Sequence, residues 1–264
     1  MSWKGLFSVA ILACGAAVAS SSASVRIILV GDSTMAVNSG WGTGFCAVVT
    51  AEVTCVNMAK GGRSSGSYRA EGSWANVMEA LKSNPDFKAT YVLIQFGHND
   101  QPGKPGRSTD LATEFPANLR RYVEEVRAAD AQPVLITPLT RRSFQDGKVA
   151  DTLGPWADAA KQVAAAEHVP LLDLHGESLA AVERMGPAEA NTLAAAPPPP
   201  GIAATAARGN SAPLPPAAAE RNAPAAPRFD YTHLGEKGAA YFARMVASEL
   251  VRAVPDLKPC IKPE

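Results

Sequence analysis

Neither sign of charge is in excess in this chain. Its 264 residues carry 25 Lys and Arg against 25 Asp and Glu, so net charge gives no footing for binding nucleic acid or an anionic membrane surface. Histidine and cysteine are scarce, at four each. They show neither zinc-finger spacing nor an HExxH helix motif, so no metal and no cofactor are expected. The glycine-rich stretch Gly40-Trp41-Gly42-Thr43-Gly44 lacks the dinucleotide-binding spacing, and no phosphate-loop lysine follows it. It reads as a loop that brings an aromatic side chain to a site. No apolar run is long enough to span a bilayer stably. No repeat at solenoid spacing is found.

What is present begins with a targeting signal. Lys4 precedes a short apolar run from Leu6 to Ala13, and Ala17-Val18-Ala19 and Ser21-Ser22-Ala23 are both small-residue cleavage sites. Residues 1–23 are therefore expected to direct export, to a secreted or periplasmic location. Ile11-Leu12-Ala13-Cys14 also resembles a lipoprotein cleavage box, which makes Cys14 a candidate lipid anchor. Export permits disulfides. Cys46, Cys55 and Cys260 remain after cleavage; the first two are near enough to close a small loop, one thiol is left over, and spacing alone leaves the pairing open.

The chain is 47% hydrophobic, enough to fill a core. Short apolar strands are expected at 25–30, 53–57, 91–96, 133–137 and 169–174. Amphipathic helices at 74–81, 117–129 and 155–167 alternate with them, and a last helix covers 235–252. In the second helix Leu119, Tyr122, Val123 and Val126 recur at helical spacing, while Arg120, Arg121, Glu124, Glu125 and Arg127 point away. This alternation predicts an α/β fold: a three-layer α/β/α sandwich with a five-stranded parallel sheet and right-handed crossovers. The domain spans 24–254, with a short tail at 255–264. Residues 187–228, rich in proline and alanine, have almost no large apolar side chains and read as a mobile or polyproline-like surface insertion.

The chemistry starts at Val25 to Ala36 (VRIILVGDSTMA). A buried strand runs into a glycine-led turn, which places Ser33 past the carboxyl end of the first parallel strand, where open α/β sheets hold ligands. Ser33 is the candidate nucleophile. A serine hydroxyl needs a base. In Asp230-Tyr231-Thr232-His233 the carboxylate can hold imidazole Nδ1 within one turn and leave Nε2 free to take the serine proton. In Phe96-Gly97-His98-Asn99-Asp100 the Asn99 amide can donate to an oxyanion; His98 is a rival base, and Asp100 can tie the loop down. In Gly61-Gly62-Arg63-Ser64-Ser65-Gly66, Gly62 lets its backbone N–H approach a ligand. The same stretch matches the G-x-S-x-G nucleophile elbow at Ser64, but four residues separate it from its strand and no clear helix follows. Arg63 and Trp41 are possible substrate contacts, and His168 and His175 read as structural.

Taken in order, Gly31-Asp32-Ser33, Gly62, Gly97-His98-Asn99-Asp100 and Asp230 to His233 resemble the four blocks of the SGNH (GDSL-type) hydrolase superfamily. More narrowly the chain is similar to its rhamnogalacturonan acetylesterases, through Gly31-Asp32-Ser33-Thr34-Met35-Ala36, Gly62-Arg63-Ser64 with Tyr68, and Phe96-Gly97-His98-Asn99-Asp100. The resemblance implies Ser33 as nucleophile, His233 as base and Asp230 as its orienter. It implies an oxyanion hole from the amides of Ser33 and Gly62 with Asn99. The implied substrate is an acetylated plant cell-wall polysaccharide, typically pectic rhamnogalacturonan. Alternatives are acetylated xylan, another carbohydrate or lipid ester, or a carbohydrate-binding protein without catalysis. Oligomeric state is not legible in the sequence.

Overall fold

A computed structural model describes residue 1 and residues 25–82, 87–212 and 229–263. Apart from Met1, the expected export signal, with Cys14, lies outside the described residues. Five parallel strands form one sheet: β1 (Val25–Gly31), β2 (Val53–Asn57), β3 (Ala89–Gln95), β4 (Gln132–Ile136) and β7 (Leu171–Leu172), in the order β2-β1-β3-β4-β7. A two-stranded hairpin, β5 (Phe144–Gln145) and β6 (Lys148–Val149), lies in the connection after β4.

The period of the strands divides the core in two. Side chains alternate across a strand. Ile27 and Leu29 of β1, Tyr91 and Leu93 of β3, and Val134 and Ile136 of β4 enter one hydrophobic layer. Ile28, Val30, Val92, Ile94 and Leu135 enter the other. The first layer is closed by α1 (Gly42–Val48), α6 (Leu174–Ala190) and α8 (Glu236–Ala253). The second is closed by α3 (Ser73–Lys82), α4 (Glu114–Ala128) and α5 (Gly154–Ala166), with Tyr68 of the single turn α2 (Ser67–Ala70). A sheet buried on both faces explains why β1 and β3 read as nearly continuous apolar runs, interrupted by the hydrogen-bonded pair Arg26 and Thr90. This is the expected three-layer fold.

Three expectations change. The Gly40–Gly44 stretch is not a loop into a site: α1 starts at Gly42, and Trp41 is fully buried, its indole N–H donating to Gln95 Oε1 at 2.9 Å. The stretch 187–228 does not begin as irregular surface. Helix α6, interrupted at Gly186 (φ +69°), runs through Pro187 to Ala190, a 3-10 turn follows at Asn191–Leu193 with Leu193 buried, and α7 covers Pro200–Ala206. Ala190 and Leu193 supply the apolar contact that composition alone did not suggest. Residues 213–228 lie outside the described residues. Finally, the segment beyond 254 is not a free tail: Pro255–Cys260 is a 3-10 helix with Leu257 buried, and Ile261 bridges Val49.

Candidate active site

Crossovers place the chemistry at one edge. The chain leaves β1 for β2 on one side and then returns past β1 to β3, so the connections diverge beyond the carboxyl ends of β1 and β3. Such a switch point leaves a crevice. Ser33 follows β1, Gly62 follows β2 and Asn99 follows β3. Asp230 to His233 lead into α8 from the opposite end of the sequence.

At this crevice Asp230, His233 and Ser33 form a hydrogen-bonded chain. His233 Nδ1 lies 2.7 Å from Asp230 Oδ2, and Nε2 lies 2.8 Å from Ser33 Oγ. Asp230 Oδ1 also accepts from the backbone N–H groups of Thr232 (2.8 Å) and His233 (2.9 Å). Burial alone would raise the Asp230 pKa, but the imidazole and the two backbone donors outweigh it and hold the carboxyl well below the ordinary range. The hydrogen bond to Asp230 raises the His233 pKa, against the opposing effect of burial.

The turn carrying Ser33 is fixed from beneath. Asp32 is fully buried and accepts from Thr34 N and Thr34 Oγ1, both at 2.8 Å. Gln95 Nε2 donates to Thr34 Oγ1 at 2.6 Å, and Trp41 closes the series on Gln95. His98 Nδ1 faces Asp32 Oδ2 at 3.4 Å. Burial lowers the His98 pKa, opposed by the Asp32 carboxylate. His98 is thus turned to Asp32, while Ser33 Oγ meets His233; the rival base does not reach the serine in this geometry.

The two loops beside Ser33 are locked to one another. Buried Asp100 accepts from Ser65 N (3.0 Å), Ser65 Oγ (2.6 Å) and Thr109 Oγ1 (2.9 Å). Asn118 and Tyr122 of α4 hold the same serine, through its hydroxyl and its carbonyl. Asn99 Nδ2 donates to Arg63 O at 3.0 Å, which orients its amide and leaves the second N–H of that nitrogen available. Gly62 sits at φ +78°, a conformation that L side chains rarely adopt. Among the described residues, neither Ser33 N nor Gly62 N donates to a protein acceptor. Ser64 is buried instead: its Oγ lies 3.1 Å from Ser67 Oγ and accepts from Ser67 N, so it caps the turn α2.

The match to known proteins follows these blocks. Residues 29–241 match the GDSL-like lipase/acylhydrolase family. The chain belongs to this family. As a member it is an enzyme, a carboxylic ester hydrolase. It is 33% identical to the rhamnogalacturonan acetylesterase RhgT of Bacillus subtilis, over 84% of this chain and 88% of that protein. It is 30% identical to the probable rhamnogalacturonan acetylesterase YesY of the same organism, over 84% of this chain and 90% of that protein. Among solved structures, protein YxiM of Bacillus subtilis superimposes with a TM-score of 0.63 at 22% identity, covering 87% of this chain; the chain spans 57% of that protein's length. An acetylxylan esterase from Geobacillus stearothermophilus superimposes with a TM-score of 0.55 at 17% identity, over 86% of this chain and 93% of that one. These two likenesses speak to the fold.

Within this GDSL fold, several residues around Ser33 escape a reading of motifs. Gln95 carries a signal that was available, a buried amide closing an otherwise apolar strand. Arg142 and Arg141 carry none, because the connection after β4 has no motif. Arg141 donates to Thr152 Oγ1 (2.6 Å) and Gln101 Oε1 (2.8 Å), and Arg107 lies 3.4 Å from both Gly62 O and Asn99 Oδ1. Arg63 is engaged by Glu71 at 2.7 Å. His168, just past α5, is at φ +50°, and His175 Nε2 lies 3.2 Å from Asp151 Oδ1.

Proposed function

We propose that this hydrolase is an exported serine esterase that removes O-acetyl groups from plant cell-wall polysaccharide, pectic rhamnogalacturonan first among them. The observation that carries the chemistry is the Asp230–His233–Ser33 chain, with hydrogen bonds of 2.7 and 2.8 Å. The Ser33 hydroxyl attacks the acetyl carbonyl carbon as its proton passes to His233 Nε2. The carbonyl electron pair moves onto oxygen, and that oxyanion is held by the N–H groups of Ser33 and Gly62 and the free N–H of the Asn99 amide. Collapse expels the sugar alkoxide, which takes the proton from His233 and leaves acetyl-Ser33. Water then gives a proton to His233 and attacks the acetyl group; acetate leaves and Ser33 recovers its proton.

The substrate reading draws on the two relatives named for rhamnogalacturonan and on the mouth of the site. Arg107 and Arg141 stand beside Asn99 and Gln101, and among the described residues neither has a carboxylate within salt-bridge distance. Two such guanidinium groups suit a polysaccharide bearing carboxylates. The disulfide between Cys46 and Cys55 supports export to an oxidising compartment.

The test is acetate release from acetylated rhamnogalacturonan and acetylated xylan by the wild type, Ser33→Ala and Ser64→Ala. The expected result is release from the pectic polymer by wild type and Ser64→Ala, and none by Ser33→Ala. Release from xylan alone overturns the substrate, and activity in Ser33→Ala overturns the mechanism. Oligosaccharide binding with no release from any ester would favour the binding-protein alternative.

A further inference from the structure

We infer that Arg142 is a positioning residue that sets His233 over Ser33 by gathering the backbone carbonyls of all four residues from Asp230 to His233. The inference rests on the reading of His233 as the base. Arg142 is fully buried. Its Nη2 donates to Asp230 O at 3.0 Å and to His233 O at 2.7 Å, and its Nη1 donates to Thr232 O at 3.1 Å. Its own backbone N–H takes the remaining carbonyl, Tyr231 O, at 2.9 Å.

Four consecutive carbonyls turned toward one residue cannot satisfy a helix or a strand. The segment has no regular structure of its own, so its shape is set by what the carbonyls bind together with the turn in which Thr232 N and His233 N donate to Asp230 Oδ1. With three carbonyls turned to the guanidinium and Tyr231 O to the Arg142 N–H, the His233 side chain reaches Ser33 with Asp230 behind it. Further ties hold the segment at its C-terminal end and at the Tyr231 ring: Leu234 N donates to Ser39 O at 2.9 Å and Leu234 bridges Ala194, and Ala212 N donates to the Tyr231 hydroxyl at 3.0 Å. Arg142 takes the four backbone carbonyls, across about 90 residues of sequence.

The chemistry of arginine fits this task and that of lysine does not. A guanidinium presents several N–H donors in a rigid plane, whereas an ammonium is a point charge on a flexible stem. Burial presses the Arg142 pKa down to about 10, against the attraction of Asp230, so the group stays charged at neutral pH. Burying a cation is costly unless it is well bonded. Among the described residues no carboxylate lies within salt-bridge distance of it. A residue kept for core packing alone would be apolar.

Displacement of a catalytic group by about 1 Å can cost on the order of a hundredfold in rate. Hydrolysis of 4-nitrophenyl acetate by Arg142→Lys and Arg142→Ala, with Ser33→Ala and His233→Ala alongside, tests the inference. Expected is a fall in kcat of roughly tenfold for Arg142→Lys and a hundredfold for Arg142→Ala, with KM within threefold of wild type and cooperative thermal unfolding retained. Millimolar guanidinium ion should restore Arg142→Ala by tenfold or more and leave wild type and His233→Ala unchanged. If a folded Arg142→Ala keeps kcat within threefold of wild type, the inference is wrong. If it loses activity that guanidinium does not restore, or if neither variant folds, Arg142 supports the fold and not the base. Activity surviving in His233→Ala would instead sink the mechanism on which the inference stands.

Discussion

Asn99 divides its side-chain amide between two tasks. One N–H is spent on Arg63 O, and the other is the one the proposed mechanism assigns to the developing oxyanion. Loss of one such donor typically costs about 3 to 4 kcal/mol of barrier. Asn99→Ala is therefore expected to lower kcat by roughly a hundredfold to a thousandfold with little change in KM; near-wild-type turnover would remove Asn99 from the oxyanion hole. In the proposed mechanism Asp230 acts on the rate through His233. Its hydrogen bond raises the imidazole pKa, and the base works only when neutral, so the acid limb of kcat/KM lies above the ordinary imidazole value of about 6.5. Removing the carboxylate takes that support away. Asp230→Asn should shift the limb to lower pH and reduce kcat on the order of ten-thousandfold. A limb that stays put or moves upward would mean that another group titrates there.

The strand ends and the loops beyond them carry the candidate site, and they differ in how much a sequence betrays. Ser33, Gly62 and Asn99 stood out as candidates because they follow β-branched runs that give way to glycine and polar residues, and the Asp230–His233 pair because it precedes the patterned last helix. The five strands were legible for the same reason. Helix α6 was not, because Gly176, Gly186 and Pro187 interrupt its pattern and its buried face mixes small and polar residues (His175, Ser178, Ala181, Ala190) with Leu174 and Val182. The Trp41–Gln95–Thr34–Asp32 series was also hidden, since its members are up to 63 residues apart and meet only once β1 and β3 pair in register. At this scale Asp100 is the tie between the β2 and β3 loops. Burial pushes its pKa up to about 6, against the pull of Ser65 and Thr109. A raised carboxyl pKa contributes stability that is present below the ordinary value near 3.8 and is lost as pH rises through about 6. The gap corresponds to about 3 kcal/mol. Urea unfolding at pH 4 and pH 7 should show the wild type losing up to that amount relative to Asp100→Asn; parallel losses in the two proteins would refute the assignment.

Across the whole molecule, the turn bearing Ser33 depends on a corner far from the chemistry. The backbone N–H groups of Trp41 and Gly42, at the start of α1, donate to Thr34 O and Met35 O, so the turn bearing Ser33 and α1 are one unit. That unit is held at the sheet edge by the Cys46–Cys55 disulfide between α1 and β2, and by the C-terminal segment. There Thr50 N donates to Cys260 O and Lys262 N to Val48 O, while Leu257 is buried in the layer shared with α8. The disulfide closes a loop of nine residues' separation, for which the chain-entropy account gives about 2 to 3 kcal/mol. Deleting residues 255–264 would expose Val48 and Val49 and remove Leu257, a loss of about 2 kcal/mol or more in apolar burial. Each change alone should lower the unfolding midpoint and leave kcat at 25 °C nearly unchanged, because the other tie still seats α1. Combined, they act on the same helix, so additivity is expected to fail. The double variant should lose more stability than the two single losses added and should lose kcat as well, as the Ser33 turn is released. If the losses simply add and kcat survives in the folded double variant, the turn is held by the Asp32 network alone, and α1 is only a cover for the sheet.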